Sequence, residues 1–116
     1  MKVYAYKNCS TCQKALRFLQ GRTFELLPIV EQPPTLEELR LMSGYVGGFR
    51  KLFNTSGVQY RELGLATRQL EEEEALQLLA GNGKLIKRPF LLTSRGGAVG
   101  FHPEAWEQLI DEWRKS

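Results

Sequence analysis

Histidine is almost absent from this 116-residue chain: His102 is the only one, and cysteine occurs only twice. Three such side chains fall short of the four Cys or His ligands that close a structural zinc site, so no protein-held metal is expected. No run of residues approaches the roughly 20 apolar positions of a membrane-spanning helix. The opening residues carry no basic-plus-apolar leader, so the expected location is cytoplasmic, where thiols rest mostly reduced. A net charge of +3 is too slight to argue by itself for nucleic acid. Among 11 glycines none forms a nucleotide-binding motif, and there are no internal repeats or low-complexity tracts. Neither a membrane nor a directly bound nucleic acid is therefore expected as a partner. The 42% hydrophobic and 25% charged content is that of an ordinary globular chain, with the length for one domain, 1–116.

What the chain does have is concentrated in Tyr6-Lys7-Asn8-Cys9-Ser10-Thr11-Cys12-Gln13-Lys14-Ala15. Lys2 to Tyr6, β-branched and aromatic, reads as a strand. Cys12, Ala15, Leu16 and Leu19 recur at i, i+3, i+4 and i+7, one face of a helix. The two cysteines therefore straddle a strand-to-helix turn, with Cys9 near the helix N-terminus and Cys12 one turn inside. Unpaired N–H groups and the positive end of the helix dipole favour a thiolate there, and Lys7 and Lys14 add positive charge. An ordinary thiol is only about 3% thiolate at pH 7, and this placement in a Cys-x-x-Cys motif can bring the pKa to about 7 or below. Cys9 is the expected nucleophile and Cys12, on the apolar face, the expected resolving thiol, the two closing a reversible disulfide. Two buried structural thiols are the plainer alternative, but strand–CxxC–helix is the context of a redox motif.

Along the chain, Gly21 ends the first helix and Thr23 to Pro28 reads as a second strand, completing a βαβ unit. Pro33-Pro34 forces a break, and Thr35-Leu36-Glu37-Glu38 has the form of a capping box. Gly44, Gly47 and Gly48 interrupt regular structure. Phe49 to Phe53 is expected as a short helix, Asn54 to Gly57 as a loop and Tyr60 to Leu65 as a turn. A helix is expected near Arg68 to Ala80, with Glu71 to Glu74 a solvated helix start rather than a metal site. Phe90 to Thr93 and Ala98 to Phe101 flank Ser94 to Gly97 as a hairpin. Pro103 opens a last helix whose core face carries Trp106, Leu109, Ile110 and Trp113. The order β-α-β, a helical middle, then β-β-α predicts an α/β thioredoxin-like fold with a helical insertion at about 34–83.

The cysteine motif, Tyr60-Arg61-Glu62-Leu63-Gly64-Leu65, Ile86-Lys87-Arg88-Pro89 and Val99-Gly100-Phe101 before a Trp-bearing helix together resemble the arsenate reductase and Spx family, over essentially the whole length. The resemblance implies that Cys9 attacks an oxidised substrate while arginines hold its oxygens. By motif, Arg88 matches one oxyanion-binding arginine and Arg50 a second, each able to offer a forked donor. It also implies a cis Pro89 facing the cysteines, and Lys7 joins Arg50, Arg88 and Pro89 as a candidate substrate contact. Three positions depart from the arsenate pattern: His102 stands for its third arginine, Ala5 for a histidine and Gln13 for an arginine. The resemblance thus implies a thiol-dependent reductase acting on an oxyanion or a mixed disulfide. No bound cofactor is expected; glutathione, glutaredoxin or thioredoxin would supply electrons. Its second implication is an Spx-type redox-sensing regulator that binds RNA polymerase.

Overall fold

Four short strands, each of four residues, organise the chain in the computed structural model, which describes all of residues 1–116. They are β1 (Lys2–Ala5), β2 (Glu25–Pro28), β3 (Phe90–Thr93) and β4 (Gly96–Val99). The helices are α1 (Ser10–Phe18), α2 (Leu36–Val46), α3 (Val58–Glu62), α4 (Glu72–Ala80) and α5 (Pro103–Lys115), with 3₁₀ turns at Phe49–Leu52 and Gly83–Leu85. The sheet order is β2-β1-β3-β4. β1 runs parallel to β2, as a βαβ crossover requires, and antiparallel to β3, which pairs antiparallel with β4.

Strand side chains alternate between two cores. Tyr4, Leu27, Phe90 and Leu92 face the larger one, with Leu39, Met42, Leu76 and Leu79 from the helices inserted between β2 and β3. Val3, Ala5 and Leu91 face the smaller one, with Cys12, Ala15 and Leu19 from α1 and Trp106 and Ile110 from α5. Trp106 satisfies its indole N–H on the Gly100 carbonyl at 2.9 Å. The cysteine helix is thereby fixed against the sheet by its own buried stripe.

The insertion is tied down by its first turn. The capping box forms as expected: Thr35 Oγ1 accepts from the Glu38 N–H at 3.1 Å, and Glu38 Oε1 accepts from the Thr35 N–H at 3.0 Å. Glu38 also accepts from the Tyr4 hydroxyl at 2.6 Å and pairs with Lys2 at 3.0 Å. One carboxylate thus caps α2 and fastens it to β1.

Several boundaries differ from expectation; β1 ends at Ala5 rather than Tyr6 and β4 at Val99 rather than Phe101. β2 begins at Glu25 rather than Thr23: its pairing with β1 starts at Lys2–Glu25, and the Met1 carbonyl accepts the Glu25 N–H at 2.9 Å. The glutamate helix begins at Glu72 rather than Arg68; the Arg68 carbonyl is taken by the Arg50 guanidinium instead of by a helical N–H. Tyr60 to Glu62 lies within α3 rather than in a turn. In the hairpin, Gly96 and Gly97 belong to β4 and leave Ser94-Arg95 as the turn. A Cβ on Gly97 would lie 2.6 Å from Met42 Cε and 2.9 Å from the Leu91 carbonyl oxygen. Glycine is needed there for the close approach of α2, not for the bend.

Candidate active site

Cys9 is the N-cap of α1, and its extended backbone turns Sγ back over the first turn. The Cys12 N–H donates to Cys9 Sγ at 3.3 Å. Sulfur here does what an N-cap serine or aspartate oxygen does, accepting an orphan N–H of the first turn. A negative charge on that sulfur is favoured by the same donor and by the helix dipole. The loop before it is braced by the Cys9 N–H on the Tyr6 carbonyl at 3.1 Å and by Gln13 Nε2 on the Lys7 carbonyl at 3.0 Å.

Cys12 is 1% exposed, packed among the smaller core, and its Sγ accepts from the Tyr6 N–H at 3.5 Å. Both thiols are free. Their environments push them apart. Burial pushes the Cys9 thiol up, but the Cys12 thiol and N–H and the Arg88 guanidinium outweigh it and bring Cys9 below its ordinary value. Cys12 is pushed up to about 12, first by burial and then by its hydrogen bond to Cys9 and the charge there. The pair holds one favoured thiolate, on Cys9, and one reserve proton, on Cys12.

Arg88 lies two residues before β3, and the Arg88–Pro89 peptide is cis, as the resemblance implied. Arg88 lines the same cleft as Cys9, of about 600 Å³, together with Lys87, His102 and the loop from Asn54 to Val58. No acidic side chain lines this cleft. Three basic side chain types and a helix N-terminus make it a receiver of negative charge.

Two other expected contacts lie elsewhere. Arg50 lines a neighbouring cleft with Lys51 and Val46, and its guanidinium donates to the Leu65 carbonyl at 2.9 Å and to the Arg68 carbonyl. It braces the segment before α4 rather than pointing an open fork at Cys9. Lys7 faces a groove beside β2 with Leu16 and Leu26, away from the basic cleft. Pro89 is buried beside Arg88. Sequence reasoning passed over Lys87 and the Asn54–Val58 loop as site residues and took His102 only as a missing arginine. Lys87 was visible inside the Ile86-Lys87-Arg88-Pro89 motif. The loop carried no chemical signal, because its place depends on Asn54 N–H reaching the Leu85 carbonyl, 31 residues away in sequence, at 2.7 Å.

The model of the ArsC family matches residues 4–109. A relative from Bacillus subtilis, uncharacterised protein YusI, is 41% identical over 110 residues, covering 90% of this chain and 93% of its own. The arsenate reductase of Neisseria meningitidis is 29% identical, over 95% of this chain and 97% of that protein. The global transcriptional regulator Spx 2 of Oceanobacillus iheyensis is 26% identical, over 89% and 78%. Among solved structures, an ArsC-family-related protein of Bacteroides fragilis superposes with a TM-score of 0.87 at 45% identity, covering 93% of this chain and 95% of that one. Those similarities accord with the thioredoxin-like sheet and its inserted helices.

Proposed function

The chain belongs to the ArsC family, and on that premise we propose that it is a thiol-dependent reductase in which Cys9 is the nucleophile and Cys12 the resolving thiol. One observation carries the reading: Cys9 Sγ caps α1 beside a buried second thiol, in a cleft lined by Lys87, Arg88 and His102 and by no carboxylate. In the proposed sequence, the Cys9 thiolate attacks one sulfur of an anionic mixed disulfide, and the other sulfur leaves as a thiolate. Cys12 then loses its proton and attacks Cys9 Sγ, releasing the bound half as a second thiolate. The protein is left with a Cys9–Cys12 disulfide, and two electrons from an external thiol, of the glutathione, glutaredoxin or thioredoxin kind, restore it.

The coupling between the thiols orders these steps. While Cys9 is a thiolate its charge holds the Cys12 proton in place. Once Cys9 is in a mixed disulfide that charge is gone, and Arg88 remains to favour a thiolate on Cys12. An arsenate-like oxyanion is the other substrate the basic cleft could receive, with Arg88 as the forked donor. In this chain Arg50 does not reach that cleft, so the arsenate form would rest on Arg88, Lys87 and His102.

A regulator of the Spx kind is the second reading, supported by the similarity to Spx 2. There the same Cys9–Cys12 closure would be a switch, and RNA polymerase the partner. Coupled turnover separates the readings. With arsenate or a glutathione mixed disulfide as substrate and a thiol-regenerating system, the reductase should turn over many times and the Cys9→Ser protein should not. Wild-type protein that oxidises once without Cys9-dependent turnover of either substrate would contradict the enzyme.

A further inference from the structure

Arg88 is held differently from four other arginines of the chain. Arg22, Arg40 and Arg68 pair with glutamates, and Arg50 is bound by two carbonyls. Arg88 has no such ion pair. Arg22 and Arg50 also lie over rings, those of Phe18 and Phe49, but with their N–H groups already taken; the Arg88 guanidinium lies over the Tyr6 ring, with Cζ 4.8 Å from the ring centroid. Tyr6 also touches both cysteines through its main chain: its carbonyl accepts the Cys9 N–H and its N–H donates to Cys12 Sγ. One residue therefore meets the Cys9 main chain, the Cys12 thiol and the cation beside Cys9.

Taking Cys9 as the reacting thiol and Arg88 as its cation, as proposed above, we infer that Tyr6 is a positioning residue whose ring seats the Arg88 guanidinium within reach of Cys9. An arginine on a long flexible stem loses side-chain entropy when it is fixed in one place. A half-buried aromatic face offsets that loss, because the negative face of the ring attracts the planar cation and leaves its N–H edge free. A glutamate in the same position would bind those N–H groups itself and cancel the charge. The aromatic seat holds Arg88 without neutralising it, which suits a group whose work is to stabilise a thiolate and then a leaving thiolate. Tyr6 also packs against both cores, so its test has to separate packing from cation seating. Its two hydrogen bonds to the cysteines use main-chain atoms, so a side-chain change addresses the ring.

The experiment is a titration of Cys9 by iodoacetamide rate against pH in Tyr6→Leu, Tyr6→Phe, Arg88→Ala and the Tyr6→Leu/Arg88→Ala pair. Tyr6→Leu keeps apolar packing but loses the π face. It should slow Cys9 alkylation below neutral pH about two- to fivefold and move the titration midpoint up. Tyr6→Phe keeps the face and should behave as wild type. In the Arg88→Ala background Tyr6→Leu should add nothing, since the double-mutant cycle reports only the shared contact. Should Tyr6→Leu fail to fold, Tyr6→Met makes the same comparison. A normal Cys9 titration in Tyr6→Leu, with Arg88→Ala clearly slowed, would overturn the inference and leave the proposed function standing. An equal slowing by Tyr6→Leu in the Arg88→Ala background would also overturn it, because the ring would then act on Cys9 without the arginine. An unchanged Arg88→Ala protein would strike the reading on which the inference rests.

Discussion

The Cys12 N–H donates to Cys9 Sγ at 3.3 Å, so the main chain of the buried cysteine supports a negative charge on Cys9 while both thiols are free. This relationship is local, three residues within one helical turn. It makes the two thiols unequal: one caps the helix in an open basic cleft, the other is buried in the core.

Unequal thiols should react unequally. A limiting dose of iodoacetamide near pH 7 is expected to label Cys9 well ahead of Cys12, read by peptide mapping. The Cys9 rate should have its midpoint below the ordinary thiol value of about 8.5, since hydrogen bonds and the Arg88 charge outweigh burial. Arg88→Ala should raise that midpoint and lower reactivity or turnover by one to two orders of magnitude, about 1.4 to 2.7 kcal/mol. Arg88→Lys recovers part of the loss if charge dominates and little if the fork does. Equal labelling of both cysteines would reverse the roles assigned to them.

Mild peroxide should take two hydrogens from the monomer's intact mass, closing Cys9 to Cys12. The Cys12→Ser protein should accumulate sulfenic acid at Cys9, a Cys9-linked dimer or, with glutathione added, a mixed disulfide. Wild type yielding only those open products would show that Cys12 does not resolve.

His102 lines the Cys9 cleft where the arsenate pattern has an arginine. His102→Arg adds a permanent charge and a forked donor to that cleft. Arsenate turnover should rise above wild type in this variant and fall when Arg88→Ala is added. No gain, in a variant whose Cys9 alkylates normally, would mean that the cleft is not short of one arsenate ligand.

Glu38 carries a stability prediction. Burial pushes its carboxyl up, but the Tyr4 hydroxyl, the Thr35 N–H and Lys2 outweigh it and hold the carboxyl below its usual value. A carboxyl lowered by folding contributes stability that is complete above its unfolded pKa, near 4.3, and is lost as pH falls through the lower folded value. Denaturant titrations should find Glu38→Gln less stable than wild type at pH 7 by about 1 to 3 kcal/mol. The gap should close as the solution is acidified below about pH 4. A gap that held constant into acid would assign Glu38 a packing role only.

Much of this architecture is legible in local sequence because local chemistry fixes it. The capping box is four residues long, the CxxC turn fits within one strand-to-helix junction, and Trp106, Leu109 and Ile110 share one helix face, although Trp113 lies outside the core. In sequence Gly96-Gly97 looks like the hairpin turn, whereas Gly97 answers to Met42, 55 positions earlier. The glutamate helix does not reach back to Arg68 for a similar reason: the Arg68 carbonyl is claimed by Arg50, 18 residues before it. The same contact removes Arg50 from the cleft where family pattern placed it. The seat of Arg88 on Tyr6 joins residues 82 positions apart, and no periodicity or spacing foretells such a contact. Short-range motifs identified the thiols, and only the folded chain shows which cations reach them.

The assignment of Cys9 as nucleophile and Cys12 as resolver can be tested most directly by trapping the first covalent product. Cys12→Ser and Cys9→Ser proteins would each be treated with a glutathione mixed disulfide near pH 7, and the adducts located by intact mass and peptide mapping. The Cys12→Ser protein should gain one glutathione on Cys9 rapidly and keep it, and the Cys9→Ser protein should remain almost unmodified. Rapid modification of Cys12 in the Cys9→Ser protein, with Cys9 inert in the other, would contradict the account.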